Sequence, residues 1–157
     1  IITQERGIKM FTDNKESIGR WISLLHRYGN VYINEQLKEY SLGAGQYQFL
    51  AILYQNEGLS QDEIACLLKM DKGTTARAIA KLEKEGYVVR KVFNVDKRIK
   101  KLYLTEKAHA FESKLTSILL SWINIITKDL SVNDQEYALR LLKKISLNAE
   151  DYLDKMK

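Results

Sequence analysis

Twelve Lys and Arg residues lie between positions 69 and 107: Lys69, Lys72, Arg77, Lys81, Lys84, Arg90, Lys91, Lys97, Arg98, Lys100, Lys101 and Lys107. Only five acids share the stretch, Asp71, Glu83, Glu85, Asp96 and Glu106, so it carries +7. The rest of the chain has thirteen bases against fifteen acids, and the overall +5 therefore comes from one quarter of the sequence. Positive charge concentrated in this way suits a polyanion, because each cation that meets a phosphate releases a condensed counterion. Inside the stretch, "DKGTTARAIAKLEKEGY" (71–87) opens with a good helix cap, Asp71, yet puts Gly73, Thr74 and Thr75 in the first turn. A glycine there costs about 1 kcal/mol relative to alanine, so helix stability alone does not explain the choice. Clearance does. With Ile79 and Leu82 facing inward and Thr75 and Ala78 at the packing edge, Lys72, Gly73, Thr74, Ala76, Arg77 and Lys81 face out. A slim helix end can enter a major groove ~12 Å wide, and Arg77 is the side chain suited to a bidentate contact with guanine.

Other chemistries lack their residues. The chain has no H-E-x-x-H, no P-loop and no Gly-rich phosphate fingerprint, and its two histidines, His26 and His109, have no nucleophile beside them. An enzyme is not expected. One cysteine, Cys66, excludes an internal disulfide, and with two distant histidines it builds no zinc spacing, so neither a metal nor a cofactor is expected. Cys66 sits one position off an inward stripe with no helix N-terminus or strong cation to lower its pKa, and reads as inert, with an oxidant-sensing thiol as the alternative. No apolar run approaches the ~18 residues that span a membrane, and the N-terminus lacks the pattern of a signal peptide. The expectation is a folded cytoplasmic protein, 45% hydrophobic and 29% charged, with no membrane partner.

The elements that must position the basic stretch follow from periodicity. Apolar residues at 18, 21, 22, 25, 28, 32, 33 and 37 predict a five-turn helix, and "SLGAG" (41–45) breaks it. A helix over roughly 45–56 is hydrophobic almost all round, as a central buried helix should be, and Gly58 caps its end. Ser60 and Glu63 form a capping box for a short helix that would bury Ile64, Ala65 and Leu68. Asp71 caps the next one, and two short helices joined tightly around Met70 make a helix-turn-helix. After Gly86 the period changes: "YVVRKVF" and "IKKLYLT" predict a β-hairpin around the polar "NVDKR", which completes a winged-helix arrangement. Thr105 caps a long helix, and Ser131 or Asn133 begins a last one. The first helix and these two carry more apolar face than a domain of 45–105 can cover, so the termini of two chains are expected to pack together.

"LSQDEIACLLKMDKGTTARAIAKLEKEGYVVR" and the hairpin "DKRIKKLYLTEKA", at their spacing, resemble the MarR family of transcriptional regulators over about 18–153. The resemblance implies a mostly α fold with a small β-hairpin wing (α+β): a dimerisation arm over 1–40, a winged helix-turn-helix over 41–105, and C-terminal dimerisation helices over 106–157. It implies a homodimer on a pseudo-palindromic double-stranded DNA operator, released by a small aromatic or phenolic effector. The helix 71–86 would enter the major groove and the wing 91–103 the minor groove, where Arg98 suits the negative potential and Asp96 would hold it. Arg90, Lys91, Lys97, Lys100 and Lys101 would meet phosphates. The family's ligand site falls between the dimer helices and the DNA-binding part, which in this chain brings His26, Arg27, Tyr28, Tyr47 and Trp122 within reach; Arg27 could hold a carboxylate by two parallel hydrogen bonds. A winged-helix module that docks an acidic protein is the competing reading, but it would not require small outward residues beside an Arg-tipped wing.

Overall fold

The computed structural model describes residues 17–92 and 100–156. Among them are six α-helices and a three-stranded antiparallel sheet, a mostly helical α+β fold as expected. The chain divides into two compact units, one ending at Leu119 and the other beginning at Leu120.

In the first unit, helix α1 (Ile18–Leu37) is opened by Ser17, whose hydroxyl accepts the Arg20 N–H at 3.1 Å. Only Ile33 and Leu37 are buried; Ile18, Trp21, Ile22, Leu25, Tyr28 and Val31 remain exposed. A 3-10 turn, Lys38–Tyr40, follows, and Asn34 Oδ1 accepts the Ala44 N–H at 2.8 Å, tying α1 to the approach of α2 (Tyr47–Gln55). Phe49, Leu50 and Leu53 put α2 at the centre of the core, as its all-round hydrophobicity predicts.

Strand β1 (Leu59–Ser60) precedes α3 (Gln61–Leu67), α4 (Lys72–Lys84), β2 (Val88–Val92), β3 (Lys100–Leu104) and α5 (Glu106–Thr127). The sheet order is β1-β3-β2, with Leu59 opposite Leu102, and with Val88 to Val92 opposite Leu104 to Lys100. The hairpin was expected; β1 was not. Around α2 the core gathers Ile64, Ile79, Leu82, Tyr87, Leu102 and Phe111. Tyr87 meets the Phe111 ring nearly edge-on at 5.5 Å while its hydroxyl donates to the Tyr40 carbonyl at 3.1 Å, so a large aromatic is buried with its polar end satisfied. Tyr54, half-buried against this core, donates its hydroxyl to the Ala108 carbonyl at 2.6 Å, and burial pushes its phenol pKa well up.

The packing corrects three expectations in α3 and α4. Thr75 and Ala78 are not at the edge of the core but inside it, because 75, 78, 79 and 82 form one continuous helical stripe. The Thr75 hydroxyl donates to the Asp71 carbonyl at 3.0 Å, which removes the penalty for burying it. Leu68, expected to be buried, is only partly so: α3 ends at Leu67 and Leu68 already lies in the turn.

The second unit holds the end of α5 and helix α6 (Val132–Asp154). Ser131 caps α6 in a box with Asp134, and not one residue of α6 is buried. Tyr137, Leu141, Leu142 and Ile145 are all exposed, as are Leu120, Ile123 and Ile126 of α5. Among the described residues no single helix is long and apolar enough to cross a membrane.

Candidate nucleic-acid interface

The approach to α4 is a tight turn whose left-handed residue is a lysine. Lys69 has φ 53°, and the amides of Lys69 and Met70 donate to the carbonyls of Cys66 and Ala65 at 3.2 and 3.0 Å. That is the double hydrogen bond of a Schellman cap, usually made with glycine. Gly73 is not part of this turn. It lies in the first turn of α4 with helical backbone, where an added Cβ would be 3.2 Å from Asp71 Oδ1 and 3.7 Å from Arg77 Nη1.

Asp71 organises the end of the helix that Gly73 keeps narrow. Its carboxylate accepts the Thr74 N–H at 2.8 Å, and its hydrogen bonds with Thr74, followed by the charge of Arg77, hold its pKa below the usual carboxylate range. Arg77 Nη2 donates in turn to the Thr74 hydroxyl at 3.1 Å, so Asp71, Thr74 and Arg77 form a chain that orients the guanidinium along the outer face. Lys72 is exposed and pairs with Asp62 of α3 at 3.0 Å. Ala76 is half-buried, and Lys81 is half-buried with Glu85 at 2.7 Å, a contact that lowers the Glu85 pKa. Gly73, Lys72 and Arg77 are exposed. Of the six residues expected to face out from α4, three are exposed, and the other three, Thr74, Ala76 and Lys81, are half-buried.

The hairpin is fastened to the end of α4 at its root. The Thr105 hydroxyl donates to the Gly86 carbonyl at 2.7 Å, and Lys107 reaches the Glu85 carbonyl at 2.7 Å with its ammonium 4.2 Å from the centre of the Tyr87 ring. Further out, Lys91 and Lys100 are exposed, with Lys91 4.8 Å from the centre of the Tyr103 ring; Lys101 is half-buried. Arg90 is already engaged: Nε donates to Glu83 Oε2 at 2.9 Å and Nη2 to Gln61 Oε1 at 3.2 Å. Sequence reading missed both partners, and no local signal could have supplied Gln61, 29 residues away. Asp96, Lys97 and Arg98 lie outside the described residues.

The five residues considered for an effector are less united. His26, Arg27 and Tyr28 are all exposed on α1, and consecutive helical positions fan out by about 100°, so His26 and Tyr28 leave on nearly opposite sides. His26 Nε2 lies 3.0 Å from Asn30 Nδ2. Tyr47 is half-buried against the core, and Trp122 is half-buried in the second unit. Cys66 is exposed.

The MarR family model matches residues 42–100, which run from the approach of α2 to the start of β3. Over 88 residues the chain is 39% identical to the uncharacterized HTH-type transcriptional regulator YybA of Bacillus subtilis (strain 168); the match covers 56% of this chain and 59% of that protein, under two thirds of its length. The crystal structure of a MarR transcriptional regulator from Methanosarcina mazei Go1 is 37% identical with a TM-score of 0.79, covering 86% of this chain and 97% of that one. A MarR family transcriptional regulator from Listeria monocytogenes, complexed with 26mer DNA, is 29% identical with a TM-score of 0.80, covering 88% of this chain and 93% of its own. At 37% identity over nearly the whole of the Methanosarcina regulator, the chain belongs to the MarR family and is a DNA-binding transcriptional regulator, not an enzyme.

Proposed function

We propose that the protein is a sequence-specific, homodimeric repressor of nearby genes, bound to a pseudo-palindromic double-stranded operator and released by a small aromatic or phenolic acid. The observation that carries the DNA half is the outer face of α4, where Lys72, Thr74, Arg77 and Lys81 flank two small residues, Gly73 and Ala76. In this reading α4 enters the major groove, Arg77 reads guanine, and Lys91, Lys97 and Lys100 meet phosphates while Arg98, held by Asp96, enters the minor groove. Residues 41–105 do this work, and 1–40 and 106–157 pair the chains. The neighbour solved with 26mer DNA supports a DNA partner for a chain of this fold.

The effector half rests on residue chemistry alone: a cation, Arg27, and aromatics, Tyr28 and Tyr47, are the types that suit a carboxylate on an apolar ring. Footprinting on the upstream region of the protein's own gene tests both halves. Two protected half-sites one helical turn apart, ~34 Å, are expected, with protection lost on adding salicylate, benzoate or 4-hydroxybenzoate. Uniform protection of every duplex tried would overturn sequence-specific recognition. Protection that persists with all three acids would overturn release by such ligands.

A further inference from the structure

We propose that Arg90 is a positioning residue, a strut that sets the angle of the hairpin β2–β3 against α4, rather than a phosphate ligand. Its guanidinium donates through Nε to Glu83, one residue short of the end of α4, and through Nη2 to Gln61, the first residue of α3. One side chain on a strand is therefore bonded to both helices of the helix-turn-helix. The Arg90 and Glu83 side chains are only 30% and 29% exposed, whereas the Lys72–Asp62 pair nearby is 77% and 66% exposed.

Strand β2 needs such a brace. It is one of the two edge strands of the sheet, and after Val88 its residues 89–92 are all exposed. Strand β3 is held independently, by the pairing of Leu59 with Leu102 and by the Leu104 N–H donating to Glu57 Oε2 at 3.0 Å. Ladder hydrogen bonds fix β2 to β3 but leave the ribbon free to twist, since two-stranded ribbons tolerate a wide range of twist. Arg90, halfway along β2, ties that twist to the two helices. A guanidinium suits the task because its nitrogens lie in a fixed planar fork, whereas a lysine offers one point charge and cannot span Glu83 and Gln61 together.

The inference rests on reading α4 and the hairpin as the DNA surface, and the sign of one substitution separates it from a phosphate contact. Glu83→Gln removes a negative charge beside the DNA. If Arg90 met phosphate, freeing it from Glu83 would leave affinity equal or higher. If Arg90 is a strut, affinity falls.

The test measures fluorescence anisotropy on the protected operator duplex at several salt concentrations, for Glu83→Gln, Gln61→Ala, Arg90→Lys and Arg77→Ala. Weakening of about tenfold is expected for Glu83→Gln and Arg90→Lys, and about threefold for Gln61→Ala, with thermal midpoints kept within about 3 °C. The slope of log affinity against log salt should stay at the wild-type value for Arg90→Lys. Wild-type or tighter binding by Glu83→Gln, or wild-type binding by Arg90→Lys, overturns the strut. Should Glu83→Gln fail to fold, Gln61→Ala and Arg90→Lys decide: wild-type binding by both overturns it, and weakening of both supports it. Arg77→Ala is the control for the surface itself. If it weakens binding while the strut variants do not, only the strut fails; if it binds like wild type, the assignment of the surface fails.

Discussion

At the scale of single residues, the narrow start of α4 is a compromise between helix stability and reach. Gly73 lies inside the helix, so its backbone freedom is not needed for the turn that Lys69 makes. Replacing it with alanine should gain up to about 1 kcal/mol of helix propensity. The gain is offset in part, because the new Cβ would crowd the Asp71 carboxylate at 3.2 Å, and that oxygen is held by the Thr74 amide. Stability should therefore change by less than about 1 kcal/mol in either direction. DNA binding should not be so tolerant: a methyl group pushed into a close-packed contact costs roughly 1–3 kcal/mol, or about a fivefold to hundredfold loss. Thermal unfolding and operator titration of Gly73→Ala, made together, check the two halves. Unchanged affinity would mean that Gly73 does not lie against DNA.

At the scale of elements, what was legible in the sequence was local. Ser60 and Asp71 each cap a helix where they were expected to, and of the two candidates Ser131 and Asn133 it is Ser131 that caps the last, because a cap depends on residues three positions away. The outer face of α4 was legible for the same reason, since helical period alone separates 72, 73 and 77 from 75, 79 and 82. Strand β1 was not legible: two residues carry no period, and its partner Leu102 lies on the far side of α4. Nor was the left-handed Lys69, which has no glycine to announce it, nor the bond from Arg90 to Gln61. The effector candidates stayed scattered because a pocket is built by distant elements and has no spacing of its own. Gly58 shows how a local signal and a distant contact combine. Its φ of +78° marks the turn into β1, and an added Cβ would also lie 3.1 Å from the Tyr103 hydroxyl on β3. Gly58→Ala should cost about 1–2 kcal/mol from the left-handed backbone alone, with the crowding added. Gly19→Ala, where the new Cβ meets nothing within 4 Å in a helix, should instead be neutral or stabilising. Thermal midpoints of the two variants should move in opposite directions or differ by several degrees.

At the scale of the whole molecule, the dominant fact is apolar surface left uncovered in both units. In α1, Trp21, Leu25 and Tyr28 recur on a helical period and are exposed; in α6, Tyr137, Leu141 and Ile145 do the same. Contiguous apolar faces of this kind are rare on monomers, and each square ångström covered contributes roughly 25 cal/mol. In the homodimer proposed above, a second copy of the chain would supply the partner for such faces. The wild-type protein should therefore run in light scattering at twice the 18.2 kDa of one chain. Ile145 lies mid-stripe and is the least exposed of the large apolar residues on α6, at 37%. A glutamate there would bring an unpaired charge into any interface formed by that stripe, so Ile145→Glu should shift the protein to the monomer. Operator binding then separates assembly from recognition. A duplex with two half-sites should lose about 10²- to 10⁴-fold in affinity, because the second contact is no longer linked to the first. A duplex with one half-site should bind the variant nearly as well as wild type, since α4 and the hairpin are untouched. A variant that stays dimeric, or that loses the single half-site as well, would show that this stripe does not pair the chains, or that pairing also holds the DNA-binding part in shape.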